Sequence, residues 1–247
     1  MHRFFIPPEW IDRQKVTLVD EVAHQIRNVL RMKPGRKIIV LDNFGHEYTV
    51  QLTHVARNVV VGEIVDKQPA GNEPDLKISL YQGTLKAQKF EWVLQKGTEL
   101  GIAEFIPVIS ERSVLGDVET ADRKLLRWER IIQEAAEQSR RGTLPELRPA
   151  MMFAQACQRA SRMEGVGLLA WEEAETDPLR SILTAIPQKP QTVSLFIGPE
   201  GGFTVDEARL AHGYGIWPVW LGRRILRAET AGLVAASVIL YHFGEME

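Results

Sequence analysis

From residue 75 to the C-terminus, about 170 residues, the chain alternates short apolar runs with longer amphipathic ones. Strands are predicted at residues 76–81, 104–109, 167–171, 193–197 and 216–221. Between them fall helices at 86–100, with Phe90, Val93 and Leu94 inward, and at 123–138, with Trp128, Ile131, Ile132 and Ala135 inward. Three more helices are predicted at 178–185, 205–212 and 229–243. A parallel pair of strands needs a long crossover, usually a helix, and a strand covered on both faces reads as a continuous apolar run. The pattern therefore predicts an α/β domain with a mostly parallel sheet covered on both faces.

The residues before it follow another rule. Strands are predicted at 37–41, 48–52 and 59–65, with a turn at Asp42-Asn43-Phe44-Gly45. Strands this short and evenly spaced read as a small barrel or sandwich. One helix, 21–30, interrupts them with Val22, Ile26, Val29 and Leu30 on one face. The stretch Gln68-Pro69-Ala70-Gly71-Asn72-Glu73-Pro74 is a linker by composition. Two domains are expected, 1–70 and 75–247.

Composition narrows the function classes. Of 247 residues 45% are hydrophobic and 25% charged, which excludes disordered and fibrous chains. No apolar run approaches the roughly 18–20 residues that cross a bilayer, and the N-terminus is charged and proline-broken, unlike a signal peptide. A single cysteine, Cys157, supplies neither a disulfide nor a cysteine-rich metal site. A cytoplasmic protein is expected. The net charge of −2 gives no bulk attraction to nucleic acid. Residues 1–75 and 86–141 each carry ten Lys+Arg and ten Asp+Glu, so an RNA site must be a local arrangement of cations.

Several motifs fail. Gly165-Val166-Gly167-Leu168-Leu169-Ala170 fits a dinucleotide fingerprint but lies within a predicted strand rather than in a strand-to-helix turn. No lysine is followed by Ser or Thr, and neither a G-x-S-x-G elbow nor H-E-x-x-H occurs. The six histidines are scattered, so no metal is expected.

Two loops carry the signal. In Leu195-Phe196-Ile197-Gly198-Pro199-Glu200-Gly201-Gly202-Phe203-Thr204, an apolar strand ends in three glycines within five residues. Thr204 and Glu207 then form a capping box for the next helix. In Trp220-Leu221-Gly222-Arg223-Arg224-Ile225-Leu226-Arg227-Ala228-Glu229-Thr230-Ala231, a second strand end leads into the last helix. Glycine loops at strand carboxyl ends are where open α/β sheets bind ligands.

These two segments resemble those of the ribosomal RNA small-subunit methyltransferase E family, within the SPOUT superfamily. Further matches lie along the whole chain: His2-Arg3-Phe4-Phe5, Val29-Leu30-Arg31 with Gly35, Gln95-Lys96-Gly97-Thr98-Glu99-Leu100-Gly101, Ser110-Glu111-Arg112-Ser113 and Glu134-Ala135-Ala136-Glu137-Gln138-Ser139 with Arg141. The resemblance implies an N-terminal PUA-like β-barrel and a SPOUT domain with a deep trefoil knot, a topology that connection rules alone would not suggest. It implies a homodimer, S-adenosyl-L-methionine as cofactor, and methylation of uracil N3 in 16S (small-subunit) ribosomal RNA, at a uridine of the decoding region.

The cofactor's sulfonium methyl is intrinsically electrophilic, so the protein mainly has to position it. Ile197, Gly198, Pro199, Gly202, Leu221, Gly222, Ile225, Leu226 and Thr230 are the expected cofactor contacts. Uracil N3 must lose its proton before it attacks, which calls for a base or a cation that stabilises the anion. Arg227 and Glu200 are the catalytic candidates, with a structural Arg–Glu pair as the alternative. For RNA, Lys86, Lys89 and Lys96 fall within about 80° of arc on one helix. Arg141 ends another helix, where dipole compensation is a sufficient reason for it; Arg3, Arg31 and Arg112 rest on the resemblance. Ile225, Leu226 and the last helix's Leu233, Val234, Val238 and Ile239 are expected at a dimer interface. Two other readings stay open at this point: a non-catalytic PUA-type RNA-binding protein, and a SPOUT methyltransferase acting on transfer RNA.

Overall fold

Where apolar residues recur every second position, strands form and pair as the turns between them allow. In the computed structural model, which describes residues 1–113, 117–174 and 177–246, the chain divides into two units. The first is Met1–Glu73 with Ala136–Leu144. Its strands are β1 (Arg3–Phe5), β2 (Ile11–Asp12), β3 (Lys15–Val19), β4 (Lys37–Leu41), β5 (His46–Val55) and β6 (Val59–Pro69). They form one sheet in the order β1-β4-β5-β6-β3-β2, parallel between β1 and β4 and antiparallel elsewhere. Val16, Leu18, Ile38, Val40, Val50, Leu52 and Val60 fill its core, together with Ala23 and Ile26.

Two expectations change here. The helix predicted at 21–30 is a short α1 (Asp20–His24) continued by a π-helical turn, Gln25–Val29. Leu30 N donates to Gln25 O at 2.9 Å, five residues back, and the extra residue in that turn rotates Val29 out to 64% exposure. β6 runs on to Pro69, so Gln68 and Pro69 pair with Glu47 and His46 instead of opening a linker. The segment 136–144 packs within the first unit. There Ala136 joins Phe5 and Leu41, Phe5 N donates to Glu137 Oε1 at 3.1 Å, and Leu144 N donates to Asn43 Oδ1 at 2.8 Å.

The second unit is Pro74–Ala135 with Pro145–Glu247. Along the chain it contains β7 (Lys77–Gly83), α2 (Ala87–Leu100), β8 (Glu104–Ile109), α3 (Val118–Asp122) and α4 (Leu125–Ser139), whose last residues belong to the first unit. β9 (Glu146–Leu147), β10 (Met151–Met152), α5 (Phe153–Ser161), β11 (Val166–Ala170), α6 (Leu179–Ala185) and β12 (Thr192–Ile197) follow. α7 (Val205–Gly213), β13 (Ile216–Val219) and α8 (Ala228–His242) complete it. The sheet order is β10-β8-β7-β12-β11-β13, with β9 also beside β8, and every pairing is parallel.

Apolar clusters cover both faces, as a parallel sheet requires. One holds Phe90, Trp128, Leu183 and Leu240, from α2, α4, α6 and α8. The other holds Phe153 and Cys157 of α5 with Phe203 and Ala208. After edge strand β13 the chain returns to the middle of the sheet, where α8 packs on β7, β12 and α2. That return brings the loop before α8 across the carboxyl ends of the strands.

Candidate functional site

The carboxyl ends of β7 and β12 approach closely because glycines occupy them. A Cβ added at Gly83 would stand 2.5 Å from Pro199 N, and one at Gly198 would stand 3.1 Å from Gly202 Cα. Gly202 N donates to Pro199 O at 3.0 Å, closing a tight turn that puts Gly202 at φ +69°, where a side chain is disfavoured. The next helix opens with the expected capping box. Thr204 N donates to Glu207 Oε2 at 2.9 Å, and Glu207 N donates to Thr204 Oγ1 at 3.2 Å. Glu207 Oε1 also accepts from Glu111 N at 2.9 Å, which ties the loop after β8 to the same turn.

Beside this turn lies a pocket of about 570 Å³ at the carboxyl ends of β11 and β13. Of the expected cofactor residues, Leu221, Gly222, Ile225 and Leu226 line it. Gly222 sits at φ +113°, a conformation other residues rarely adopt. Gly202 borders the pocket through Glu172, a lining residue whose Oε1 is 3.0 Å from the place a Gly202 Cβ would take. Ile197 is buried under α8, with Cγ1 3.4 Å from where a Gly232 Cβ would stand. Gly198 and Pro199 shape the turn, and Thr230 sits in the first turn of α8, its N donating to Arg227 O at 2.8 Å.

Sequence reasoning missed the third side of the pocket, Trp171, Glu172 and Glu173 at the end of β11. The signal was present: two acidic residues directly follow a buried strand. Trp171 Nε1 is buried with no hydrogen-bond acceptor among the described residues.

These features test whether S-adenosylmethionine fits. Leu226 and Ala231 offer apolar surface to an adenine face, and the orphaned indole N–H can donate to a ligand acceptor. Glu172 and Glu173 can accept from ribose hydroxyls and offset the charge of a cation. Apolar residues and two carboxylates share the lining with Arg223 and Arg224, and a concave pocket of this size suits a ligand of that kind. The residues fit the group.

The two catalytic candidates do not pair with each other. Glu200 Oε1 lies 3.4 Å from Lys86 N and 3.5 Å from Lys89 Nζ, and Lys89 Nζ is also 3.4 Å from Glu229 Oε2. Lys89 therefore bridges the 198–204 turn to the start of α8. Arg227 is exposed, and its side chain makes no hydrogen bond or ion pair among the described residues; its backbone O caps α8, accepting from Thr230 N and Ala231 N.

Most of the expected RNA cations already have partners. Arg3 is buried against Glu47 at 2.5 Å, and Arg141 is buried against Glu73 at 2.5 Å. A buried guanidinium in an ion pair reaches a phosphate only by abandoning that pair, which is strongly unfavourable. Arg112 Nη1 donates to Gly201 O at 2.8 Å, so this arginine braces the glycine turn. Lys96 pairs with Glu99 at 2.7 Å. Lys86 and Arg31 are exposed, and neither side chain has an ion-pair partner among the described residues.

Known proteins resemble the chain over its whole length. Residues 72–240 match a family model described as an RNA methyltransferase domain, and residues 18–65 match an RNA methyltransferase PUA domain. The ribosomal RNA small subunit methyltransferase E of Bacillus subtilis is 35% identical over 253 residues, covering 98% of this chain and 96% of the relative. The protein of the same name from Synechocystis is 35% identical over 238 residues, covering 96% of this chain and 77% of the relative. Among solved structures, a ribosomal RNA small subunit methyltransferase E from Neisseria gonorrhoeae bound to S-adenosyl methionine aligns with a TM-score of 0.87 and 32% identity, covering 98% of this chain and 97% of that one.

Proposed function

Because the chain belongs to the ribosomal RNA small subunit methyltransferase E family, we propose that it transfers a methyl group from S-adenosylmethionine to N3 of a uridine in 16S ribosomal RNA. The observation that carries this reading is the pocket at the ends of β11 and β13, where an orphaned indole N–H and two carboxylates border an apolar slot. When bound, the cofactor supplies an electrophilic methyl group on a sulfonium.

The chain's own residues do the rest. Leu221, Ile225 and Leu226 hold the cofactor's apolar surface, while Glu172 and Glu173 orient its polar end. The uracil N3 proton leaves to a base, for which Glu200 is the candidate, and the N3 lone pair then attacks the methyl carbon as the carbon–sulfur bond breaks. Arg227, unpaired at the start of α8, stabilises the negative charge spread over the uracil oxygens. Lys89 holds Glu200 and Glu229 in register and is not free to contact phosphate.

The proposal extends to a decoding-region uridine, an assembled small subunit as substrate, and a cytoplasmic location. Among the described residues no helix is long and apolar enough to cross a membrane. A trefoil knot in the second unit, and domains close to the bounds 1–70 and 75–247, are also part of the proposal. So is a homodimer, supported by an apolar stripe on α8. Leu233 and Ile239, expected at the interface, turn into the chain's own core at 8% and 0% exposure, whereas Val234, Val238 and Tyr241 remain exposed. Tritiated-methyl transfer to small subunits lacking their native modification, with mass spectrometry of the nucleosides, tests the reaction. N3-methyluridine is expected, and any other methylated nucleoside overturns the assignment.

A further inference from the structure

The three glycines after β12 answer to three different constraints. Gly198 closes on Gly202 within the turn itself, and Gly202 takes a positive φ beside Glu172. Gly201 does neither, since its φ is not positive. The three atoms nearest to a Cβ placed on it all belong to one side chain, with Arg112 Cβ at 3.0 Å, Cδ at 3.2 Å and Cγ at 3.6 Å. The stem of Arg112 lies flat across Gly201, and its Nη1 donates to Gly201 O at 2.8 Å. Glycine at this position makes a seat for an arginine.

Arg112 reaches the glycine turn from a base that is itself fixed. Ser113 N donates to Ser110 O at 3.1 Å and Ser110 N to Ser113 Oγ at 2.8 Å, closing residues 110–113 into a tight turn. Glu111 N donates to Glu207 Oε1 at 2.9 Å, which docks that turn on the capping box of α7. From there a single guanidinium contact settles the orientation of the Gly201–Gly202 peptide. Two consecutive glycines leave the peptide unit between them free to rotate among wells that side chains would forbid. A donor on the Gly201 carbonyl favours one well. At the other end of the turn Gln82, buried on β7, plays the corresponding part, with Nε2 3.4 Å from Gly198 O.

We propose that Arg112 is a positioning residue for the cofactor, selecting the conformer of the Gly201–Gly202 peptide that supports the pocket wall at Glu172. The inference rests on the reading of the protein as an S-adenosylmethionine-dependent methyltransferase. A pocket formed in only a fraction of molecules binds its ligand more weakly by that fraction, while the bound complex is unchanged. Losing the clasp therefore raises Kd and KM for S-adenosylmethionine and leaves kcat at saturating cofactor alone. A merely structural contact would lower stability without that split.

The full chain carrying Arg112→Met, which keeps most of the stem and removes the donor, tests it. Calorimetry is expected to show S-adenosylmethionine bound roughly 3- to 10-fold more weakly, the worth of one exposed hydrogen bond. Exchange of the Gly202 amide hydrogen, followed by NMR in the free protein, quickens by a similar factor. Arg112→Lys restores a donor and recovers both. Gly201→Ala displaces the stem and weakens binding too, but adds nothing to Arg112→Ala, where the clasp is already gone. Wild-type affinity and exchange in Arg112→Met overturn the proposal. So does a log–log salt slope for ribosomal RNA flattened by roughly 0.7–0.9 at unchanged cofactor affinity, which places Arg112 on a phosphate. A wild type that binds no S-adenosylmethionine, with Gly202 exchange still quickened in Arg112→Met, overturns the methyltransferase reading and leaves the clasp on the turn standing.

Discussion

Gly202 joins the glycine turn after β12 to the acidic wall of the pocket, at φ +69° with the Glu172 carboxylate 3.0 Å from where a Cβ would stand. A side chain at this position meets Glu172 first. Gly202→Val is expected to abolish S-adenosylmethionine binding in a protein that still folds, because a β-branched residue resists positive φ and would push Glu172 aside. Calorimetry showing wild-type affinity in a folded variant would remove this turn from the site. Arg227→Ala separates chemistry from binding. Cofactor and RNA affinities should hold while single-turnover methyl transfer slows about 100–1000-fold, the usual cost of losing one electrostatic donor. A wild-type transfer rate at saturating RNA would leave Glu200 or the RNA itself to handle the charge.

Elements of the second unit are pinned at the amino end of the sheet by Glu104, the first residue of β8. It accepts from Ser79 Oγ at 2.7 Å, Arg148 Nε at 2.6 Å and Arg159 Nη2 at 2.6 Å, and Arg159 Nη1 donates to Tyr81 OH at 2.5 Å. Burial pushes this carboxyl up, but the hydrogen bonds from Arg148 and Ser79 and the charge of Arg159 outweigh it and hold it below its ordinary 4.5. A carboxyl depressed in the folded state binds more protons in the unfolded one. Its stabilisation is therefore complete above pH 4.5 and fades as pH falls through the folded value. Glu104→Gln should lower stability at pH 7, near the low end of the roughly 3–5 kcal/mol for breaking a buried pair since Arg148 is partly exposed. It should also flatten the loss of stability below pH 4.5. Urea midpoints that decline identically with acid in both proteins would contradict the pinning role. The strands around this network were legible because buried parallel strands are continuous apolar runs, and β8 lies where it was expected. α5 was overlooked although Phe153, Ala156, Cys157 and Ala160 repeat at helical spacing, since alanine and cysteine carry a weak apolar signal. β9 and β10 have two residues each, too few for any period. The pairing of the arginines was beyond reach, because Arg3 finds Glu47 44 residues away and Arg141 finds Glu73 68 residues away. Charge can be read from one residue, but its neutralisation depends on the fold.

The molecule as a whole exposes Val234, Val238 and Tyr241 along one face of α8, and Ile225 ahead of it at 90% exposure. A dimer that buries this stripe predicts that Val238→Glu with Tyr241→Glu sediments as a monomer at micromolar concentration while the wild type sediments as a dimer. Monomer alone in the wild type would sink the proposal. The first unit also has a history that its finished form conceals. Glu73 accepts from Arg141 Nη2, and from Gly142 N and Thr143 N at 2.9 and 3.1 Å. Translation delivers the N-terminus first, at roughly 5–20 residues per second, so those donors emerge about 3–14 s after Glu73. A nascent chain halted anywhere before Ala136 carries a first unit that lacks its closing piece, with Phe5 and Leu41 still uncovered by it. The chain leaves its first-made part open until more than a third of the second has been synthesised, and in that interval the small sheet depends on whatever shields it at the exit of the ribosome.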